Sequence, residues 1–259
     1  MGQYFLGVDI GSLTTKVVLV DGNCKLVGRA TGRSGYSGRE VAKRLIAEIL
    51  SQNGLDEKDL AATVATGYGR VTFPAEREIS EITCQAKGIA HLFSAARTVI
   101  DIGGQDSKVI KLLPGGKVAD FAMNDKCAAG TGRFLEVMAG ALEVRVNDLG
   151  DLAADSKECC AISSICTVFA ESEIISHISA GKPKPDIVAG VCDSVASRVA
   201  SMTSRTGLEP EVVFTGGVAR NSGVASALEK HLGCRLLLPP EPEITAALGA
   251  ALFAREINQ

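Results

Sequence analysis

The chain has 259 residues, of which 46% are hydrophobic and 4% aromatic, and its formal net charge at pH 7 is −3. This composition is typical of a globular protein that is large enough to bury a sizeable core. Because 27 Lys and Arg residues are balanced by 30 Asp and Glu residues with no basic run, neither nucleic acid nor an anionic membrane is expected as a partner.

The N-terminal stretch MGQYFLGVDIGS lacks a basic segment and reaches Asp9 before an apolar run can form, which argues against a secretory signal peptide. No apolar run approaches the ~20 residues that a membrane helix needs. We therefore expect a cytoplasmic protein, in which the eight cysteines serve as thiols or metal ligands and not as disulfides.

Short apolar runs alternate with longer amphipathic segments, and this pattern predicts an α/β fold. In chain order, the predicted strands cover residues 4–9, 15–20, 25–30, 62–66, 98–101, 107–112 and 212–215. A first helix is predicted to begin with a capping box formed by Ser37 and Glu40 and to end at Gly54. The other predicted helices cover residues 80–93, 131–142, 167–179, 186–206, 221–232 and 244–256.

The chain contains an internal repeat, because LGVDIGSLTTKVVLVDGNCKLV and TVIDIGGQDSKVIKLLPGGKVA align without gaps. In both copies a buried strand ends in Asp, glycine permits a tight turn, and a β-branched strand follows. The duplication predicts two similarly built lobes. Each turn is either an ordinary hairpin or a phosphate loop, in which backbone N–H groups bind an anion and the carboxylate holds Mg²⁺ through water.

A third glycine pair occurs in FTGGVARN, residues 214–221, where an apolar strand runs into a helix. This order suits the close approach of the backbone to a flat ligand, and a plain strand–helix turn is the alternative. Neither G-x-x-x-x-G-K-[ST] nor G-x-G-x-x-G follows a strand, which disfavours a P-loop or Rossmann site.

The segments DIGSLTTK, DIGGQD and FTGGVARN resemble, in this order, the phosphate-1, phosphate-2 and adenosine elements of the superfamily of actin, sugar kinases and heat-shock chaperone ATPases. ATGYGR, MNDKCAAGTGRFLEVMA and AISSICTVFAESEIISHI are similar to the activators of 2-hydroxyacyl-CoA dehydratases, in the BadF/BadG/BcrA/BcrD-type ATPase family. The resemblance implies a two-lobed, ribonuclease H-like actin fold with nucleotide in the cleft. It also implies an N-terminal lobe of residues 1–95 joined by helix 244–259, and a second lobe of residues 96–243 that carries the cluster ligands.

The resemblance assigns ATP or ADP and Mg²⁺ to the glycine-rich turns. Asp9 and Asp101 are the expected metal-side carboxylates, and Gln105 is expected to orient the attacking water or to sense the γ-phosphate. The remaining candidate nucleotide-binding residues are Gly11, Ser12, Thr14, Thr15, Lys16, Gly103, Gly104, Gly216, Gly217, Val218 and Asn221.

The resemblance further implies a homodimer with one [4Fe–4S] cluster, held between the subunits by two cysteines from each. Cys127 and Cys166 match the two ligand positions, each before a predicted helix whose N-terminal N–H groups and dipole stabilise thiolates. From the residues alone, each cysteine is equally readable as a buried core thiol, and Cys159 with Cys160 leaves a zinc or second cluster site open.

The implied activity is ATP hydrolysis coupled to the transfer of one low-potential electron to a 2-hydroxyacyl-CoA dehydratase, after reduction by ferredoxin or flavodoxin. An electron-donating ATPase for another reductase, such as benzoyl-CoA reductase or a double-cubane cluster protein, is one alternative. A small-molecule kinase with Asp106 or Asp125 as its base is a second. A non-enzymatic nucleotide-dependent scaffold is a third.

Overall fold

The computed structural model describes residues 3–257. Its strands are β1 Tyr4–Ile10, β2 Thr14–Asp21, β3 Leu26–Arg33, β4 Leu60–Thr66, β5 Arg77–Glu78, β6 Thr98–Ile102, β7 Ser107–Leu112, β8 Val118–Asn124, β9 Val212–Thr215 and β10 Leu236–Leu237. Its helices are α1 Gly38–Gln52, α2 Glu81–Leu92, α3 Gly132–Ala141, α4 Leu149–Ala154, α5 Thr167–Ser179, α6 Lys184–Thr206, α7 Ser222–Leu232 and α8 Thr245–Ile257.

The chain divides into two compact units. The first comprises Met1–Ala96, Leu112–Val118 and Glu243–Gln259, and the second comprises Arg97–Lys111 and Ala119–Pro242. Each contains one five-stranded sheet, ordered β3-β2-β1-β4-β5 in the first and β10-β9-β6-β7-β8 in the second. In both sheets an antiparallel hairpin, β1-β2 or β6-β7, lies beside a parallel strand, β4 or β9.

The C-terminal helix α8 is part of the first unit because its small residues allow backbone contact. A Cβ atom on Gly249 would lie 1.8 Å from the carbonyl oxygen of Cys84 in α2, and one on Gly7 of β1 would lie 2.0 Å from that of Ala247. Only glycine fits at such an approach. The small-residue run of α8 therefore serves close packing.

The core of the second unit forms where α3, α5, α6 and α7 cover the sheet. Phe134 of α3 and Phe214 of β9 are fully buried in it. Burying a side chain of this size stabilises the fold by about 1.5–3 kcal/mol. This core fixes the strand ends from which the glycine-rich turns project.

Several elements differ from the sequence expectations. Ser37 is the residue before α1, as predicted, but its side chain makes no capping hydrogen bond. β8 and α4 were not predicted, because four of the seven residues of β8 are exposed and α4 has only six residues. Pattern analysis requires a longer or more regular apolar period.

Within residues 3–257, none of the helices combines the length and the apolar character that crossing a membrane requires.

Candidate functional site

The first glycine-rich turn joins β1 to β2. Asp9 pairs with Lys16 across this hairpin, and the Lys16 ammonium lies 3.0 Å from the Asp9 carboxylate. The turn is closed by the Gly11 amide, which donates to the Thr14 carbonyl at 3.1 Å. Asp9 is buried, so the lysine compensates a carboxylate that would otherwise be costly to desolvate.

The hydroxyl side chains of this turn differ in their surroundings. Thr15 is fully buried, and its hydroxyl lies 2.9 Å from that of Ser34, which donates to the Gly11 carbonyl at 2.7 Å. Ser12 is exposed and Thr14 half-buried. The Thr15 hydroxyl therefore stabilises the turn, whereas Ser12 is accessible to a ligand.

The second glycine-rich turn joins β6 to β7 and carries more negative charge than the first. Lys108 is fully buried, with its ammonium 2.9 Å from the Asp106 carboxylate and 3.7 Å from that of Asp101. In the position aligned with Asp106 the first turn has the neutral Thr14. Because one lysine here faces two carboxylates, this turn has a net negative charge, which suits a divalent cation.

The backbone of the second turn repeats that of the first. The Gly103 amide donates to the Asp106 carbonyl at 2.9 Å. Gln105 lies at the exposed tip, where its side-chain amide is free of burial and accessible to water or phosphate. Gly103 and Gly104 are half-buried beside it.

A glycine follows the parallel strand of each sheet and lies against the aspartate of that sheet. A Cβ atom on Gly216 would lie 2.4 Å from Asp101 Oδ1, and one on Gly67 would lie 2.5 Å from Asp9 Oδ1. Both glycines have positive φ, +86° and +82°, which favours glycine in any case. The repeat thus extends to ATGYGR, whose position sequence analysis did not identify; an apolar strand ending in Thr-Gly was the available signal.

The FTGGVARN segment follows β9. Gly216 leads into a 3₁₀ turn, Gly217–Arg220, in which a Cβ atom on Gly217 would meet nothing within 4 Å and Val218 is buried. Asn221 precedes α7, and its side-chain oxygen accepts from the Val224 amide at 3.0 Å. Asn221 therefore caps α7, and the open face of Gly217 is where a ligand has room.

The two candidate cysteine ligands lie in neighbouring segments of the second unit. The thiol of Cys127 donates to the carbonyl of Ile165, the residue before Cys166, with a sulfur–oxygen distance of 3.9 Å. Both cysteines are half-buried. Ile165 and Phe169 beside them are 72% and 63% exposed, so the thiols lie at an apolar part of the surface of this unit.

The surroundings of Cys166 fit an iron–sulfur cluster. Cys166 is the residue before α5, and its side chain makes no capping bond, so the first amides of α5 are left to other acceptors. The hydroxyl of Thr167 is buried and has no hydrogen-bond partner. Hydrogen-bond donors of this kind stabilise cluster sulfur.

The surroundings of Cys127 differ from the expectation that a helix N-terminus stabilises its thiolate. The first two amides of α3 donate to the carbonyls of Gly103 and Gly104 in the second turn, at 2.9 and 2.8 Å. They are therefore not available to the Cys127 sulfur. The structure assigns them instead to the turn, a contact between distant segments that no local pattern contains.

The other cysteines behave mostly as core thiols. Burial raises the pKa of Cys84 and of Cys192 to about 12. Burial also raises the pKa of Cys160, which packs in the core of the second unit. Among residues 3–257, no three His, Cys, Asp or Glu side chains are grouped to hold a metal ion, so a zinc site at Cys159 and Cys160 has no further ligand there.

Comparison with known proteins finds that residues 6–254 match the BadF/BadG/BcrA/BcrD ATPase family. The activator of lactoyl-CoA dehydratase from Anaerotignum propionicum is 48% identical over 258 residues, which are 99% of each chain. The activator of the 2-hydroxyisocaproyl-CoA dehydratase from Clostridium difficile, solved with bound ADPNP, superposes with a TM-score of 0.94 at 45% identity, over 98% of this chain and 95% of that one. Component A of the (R)-2-hydroxyglutaryl-CoA dehydratase from Acidaminococcus fermentans superposes with a TM-score of 0.95 at 47% identity, over 98% of both chains.

These similarities extend over nearly the whole chain and confirm the resemblance that the cysteine segments and glycine-rich turns predicted. They also confirm the actin-like fold, and the bound ADPNP of the C. difficile protein supports nucleotide binding. This chain belongs to the BadF/BadG/BcrA/BcrD ATPase family and is an ATPase.

Proposed function

We propose that this chain is a cytoplasmic, homodimeric, ATP-dependent activator of a 2-hydroxyacyl-CoA dehydratase. The observation that carries the proposal is the meeting of the two cysteine segments, with the Cys127 thiol 3.9 Å from the Ile165 carbonyl beside Cys166. The names of the relatives, which are activators of lactoyl-CoA, 2-hydroxyisocaproyl-CoA and (R)-2-hydroxyglutaryl-CoA dehydratases, support a partner of this class.

Cys127 and Cys166 would hold one [4Fe–4S] cluster together with the same two residues of a second copy of the chain. When bound, the cluster supplies a single low-potential electron to the partner. Two thiols per chain make half of a four-cysteine ligand set, and a two-fold dimer axis completes it. The buried Thr167 hydroxyl is available as a donor to its sulfur.

The glycine-rich turns would bind Mg·ATP. Their backbone amides bind phosphate oxygens, and the open face of Gly217 accommodates the adenosine. Asp101, in the more negative turn, holds the metal-bound water, with Asp9 as its counterpart in the first turn. Gln105, at the exposed tip, orients the attacking water.

The electron donor that we propose is a reduced ferredoxin or flavodoxin. An electron-donating ATPase for a different reductase has the same ligands and turns, and one of the subunits of benzoyl-CoA reductase from Thauera aromatica is a 30% identical relative. A kinase is disfavoured, because the carboxylate of its candidate base Asp106 is buried and ion-paired with Lys108 at 2.9 Å. A base in a buried ion pair is a poor proton acceptor.

The test is iron and acid-labile sulfide per polypeptide on anaerobically purified protein, with the native mass measured on the same sample. About two iron and two sulfide per chain in a dimer are expected for one shared cluster. ATP-dependent activation of a 2-hydroxyacyl-CoA dehydratase then tests the partner. An iron-free monomer after attempted reconstitution would rule the proposal out, and phosphate release without an acceptor would still separate an ATPase from a kinase.

Replacing either ligand is expected to remove the cluster and leave the nucleotide site. Cys127→Ser and Cys166→Ser should each lose the visible cluster absorption, because a serine hydroxyl is a poor substitute for a thiolate ligand. Cys234→Ser, which changes a half-buried cysteine on another part of the same unit, is the control and should keep it. A Cys127 or Cys166 variant with full cluster absorption and an unchanged iron content would contradict the assignment.

A further inference from the structure

The segment between Cys127 and α3 is bonded directly to the second glycine-rich turn. The amide of Gly132 donates to the Gly103 carbonyl at 2.9 Å, and that of Arg133 donates to the Gly104 carbonyl at 2.8 Å. Gly103 and Gly104 are the residues proposed to bind phosphate. The helix that follows Cys127 therefore begins on the phosphate turn.

Two side chains extend this connection to the cysteine. Ser107, fully buried at the end of the same turn, donates its hydroxyl to the Gly130 carbonyl at 2.9 Å. Asn124, at the end of β8, donates its side-chain amide to the carbonyls of Cys127 and Ala129 at 3.0 and 2.9 Å. Segment 127–132 is thus held at its cysteine end by Asn124 and at its helix end by the turn.

The contact between the turn and α3 has no slack. A Cβ atom on Gly132 would lie 3.1 Å from the Gly103 oxygen, 3.3 Å from Gly104 Cα and 3.4 Å from Val218 Cγ2. Packed groups at such distances move together and do not deform independently. A displacement of the turn is therefore passed to the start of α3 and to segment 127–132.

The segment before Cys166 is bonded to different elements. The Ser163 amide donates to the Glu173 carboxylate of α5 at 2.6 Å, and the Ser163 carbonyl accepts from the Ser194 hydroxyl of α6 at 3.0 Å. His177 of α5 contacts the Ala161 carbonyl at 3.0 Å. The hydrogen bonds described for segment 160–166 thus fix it to helices and not to a glycine-rich turn.

The contact between the two cysteine segments is weak by comparison. It is the Cys127 thiol on the Ile165 carbonyl, and a thiol is a weak donor. Movement of segment 127–132 therefore does not have to carry segment 160–166 with it.

We propose that nucleotide acts on the metal site through Cys127 while Cys166 stays fixed, and that Ser107 is the positioning residue that joins the phosphate turn to the Cys127 segment. This inference rests on the proposed function and specifies which of its two ligands responds. Nucleotide shifts a conformational equilibrium only where its states make different contacts. The bonded path from Gly103 and Gly104 to segment 127–132 is a contiguous network of this kind.

The test is hydrogen–deuterium exchange on the full-length protein with and without saturating ADPNP and Mg²⁺. Peptides that cover residues 127–133 are expected to change their exchange rate on nucleotide binding, and peptides that cover residues 157–166 are expected to stay unchanged. An equal change in both segments, or no change in 127–133, would overturn the proposal.

Two buried serines give a matched pair of variants. Ser107→Ala removes the bond to the Gly130 carbonyl, and the loss of one hydrogen bond is expected to reduce the nucleotide effect on peptide 127–133 about fivefold. Ser194→Ala removes an equivalent bond to the Ser163 carbonyl and should leave that effect intact. The ADPNP affinity of each variant is measured, so that the comparison is made at saturation. Equal nucleotide effects in the two variants would argue against a role for Ser107.

Gly132→Ala is a second way to perturb the same contact, since its methyl group separates α3 from the turn. We expect it to reduce the nucleotide effect on segment 127–133 as Ser107→Ala does. A full nucleotide effect in a folded Gly132→Ala protein would contradict the path.

A readout on the metal site separates this inference from the proposed function. In wild-type protein, nucleotide should change the rate at which a chelator removes iron; Ser107→Ala should weaken this dependence and Ser194→Ala should not. Wild-type protein without iron would reject the cluster, while the exchange experiment still decides whether nucleotide acts on segment 127–133.

Discussion

At the scale of single residues, Lys108 is the most unusual side chain of the second unit. Its side chain is 2% exposed, and its ammonium lies 2.9 Å from Asp106 and 3.7 Å from Asp101. A buried charge is tolerated only when it is paired and hydrogen-bonded. The lysine therefore holds two carboxylates at the start of the phosphate turn.

Lys108→Met is expected to destabilise the protein by about 3–5 kcal/mol, because it leaves two buried carboxylates without their cation. Urea unfolding of the full chain measures the change. Lys111→Met, on the same strand, removes only the partly exposed pair with Glu209 and should cost about 0–1 kcal/mol. Equal losses in the two variants would show that the Lys108 pairing adds nothing to stability.

At the scale of elements, Asp186 attaches an irregular segment to α6. Its carboxylate accepts from the Ser156 hydroxyl at 2.9 Å and from the Lys157 and Glu158 amides at 2.8 and 3.1 Å. These bonds, the Glu158 amide first, hold the pKa of Asp186 below its usual value, and Lys182 adds to the effect. The carboxylate is thus favoured in its ionised form in the folded protein.

This lowered pKa predicts an acid-dependent contribution to stability. A carboxyl group with a lowered pKa in the folded state stabilises the fold at pH above its unfolded pKa, and that contribution is lost as the pH falls through the folded value. Asp186→Asn should therefore lower the melting temperature at pH 7, and the gap to wild type should shrink as the pH falls below about 4. A gap that stays constant across this range, in melting curves at each pH, would contradict the linkage.

At the scale of the whole molecule, the two units are built from the same hairpin and parallel strand, each with a glycine against its aspartate. In the first unit the chain closes with α8, whose Gly249 would place a Cβ atom 1.8 Å from the Cys84 carbonyl of α2. The C-terminal helix is therefore part of the core of this unit. The packing depends on glycine at the contact.

Gly249→Ala is expected to destabilise the protein by about 1–3 kcal/mol or more, because the added methyl group meets backbone that cannot move aside. The melting temperature of the full chain should fall accordingly. Gly140→Ala in α3 is the control, since a Cβ atom there meets nothing within 4 Å, and it should be neutral or stabilising by up to about 1 kcal/mol. Similar melting temperatures for the two variants would show that α8 is not closely packed.

The sequence by itself determined the α/β class, most of the long strands and helices, the duplicated hairpin and the family, because these depend on local apolar period and on motifs such as DIGG and NDKCAAGTG. It did not determine what each polar group contacts. The use of the Thr15 hydroxyl by Ser34, the placement of Gly67 against Asp9, and the bonding of α3 to Gly103 and Gly104 were decided by the tertiary structure. Such contacts join residues that are distant in the chain, so packing and the requirement to satisfy buried donors and acceptors select them, and a local pattern does not record that selection.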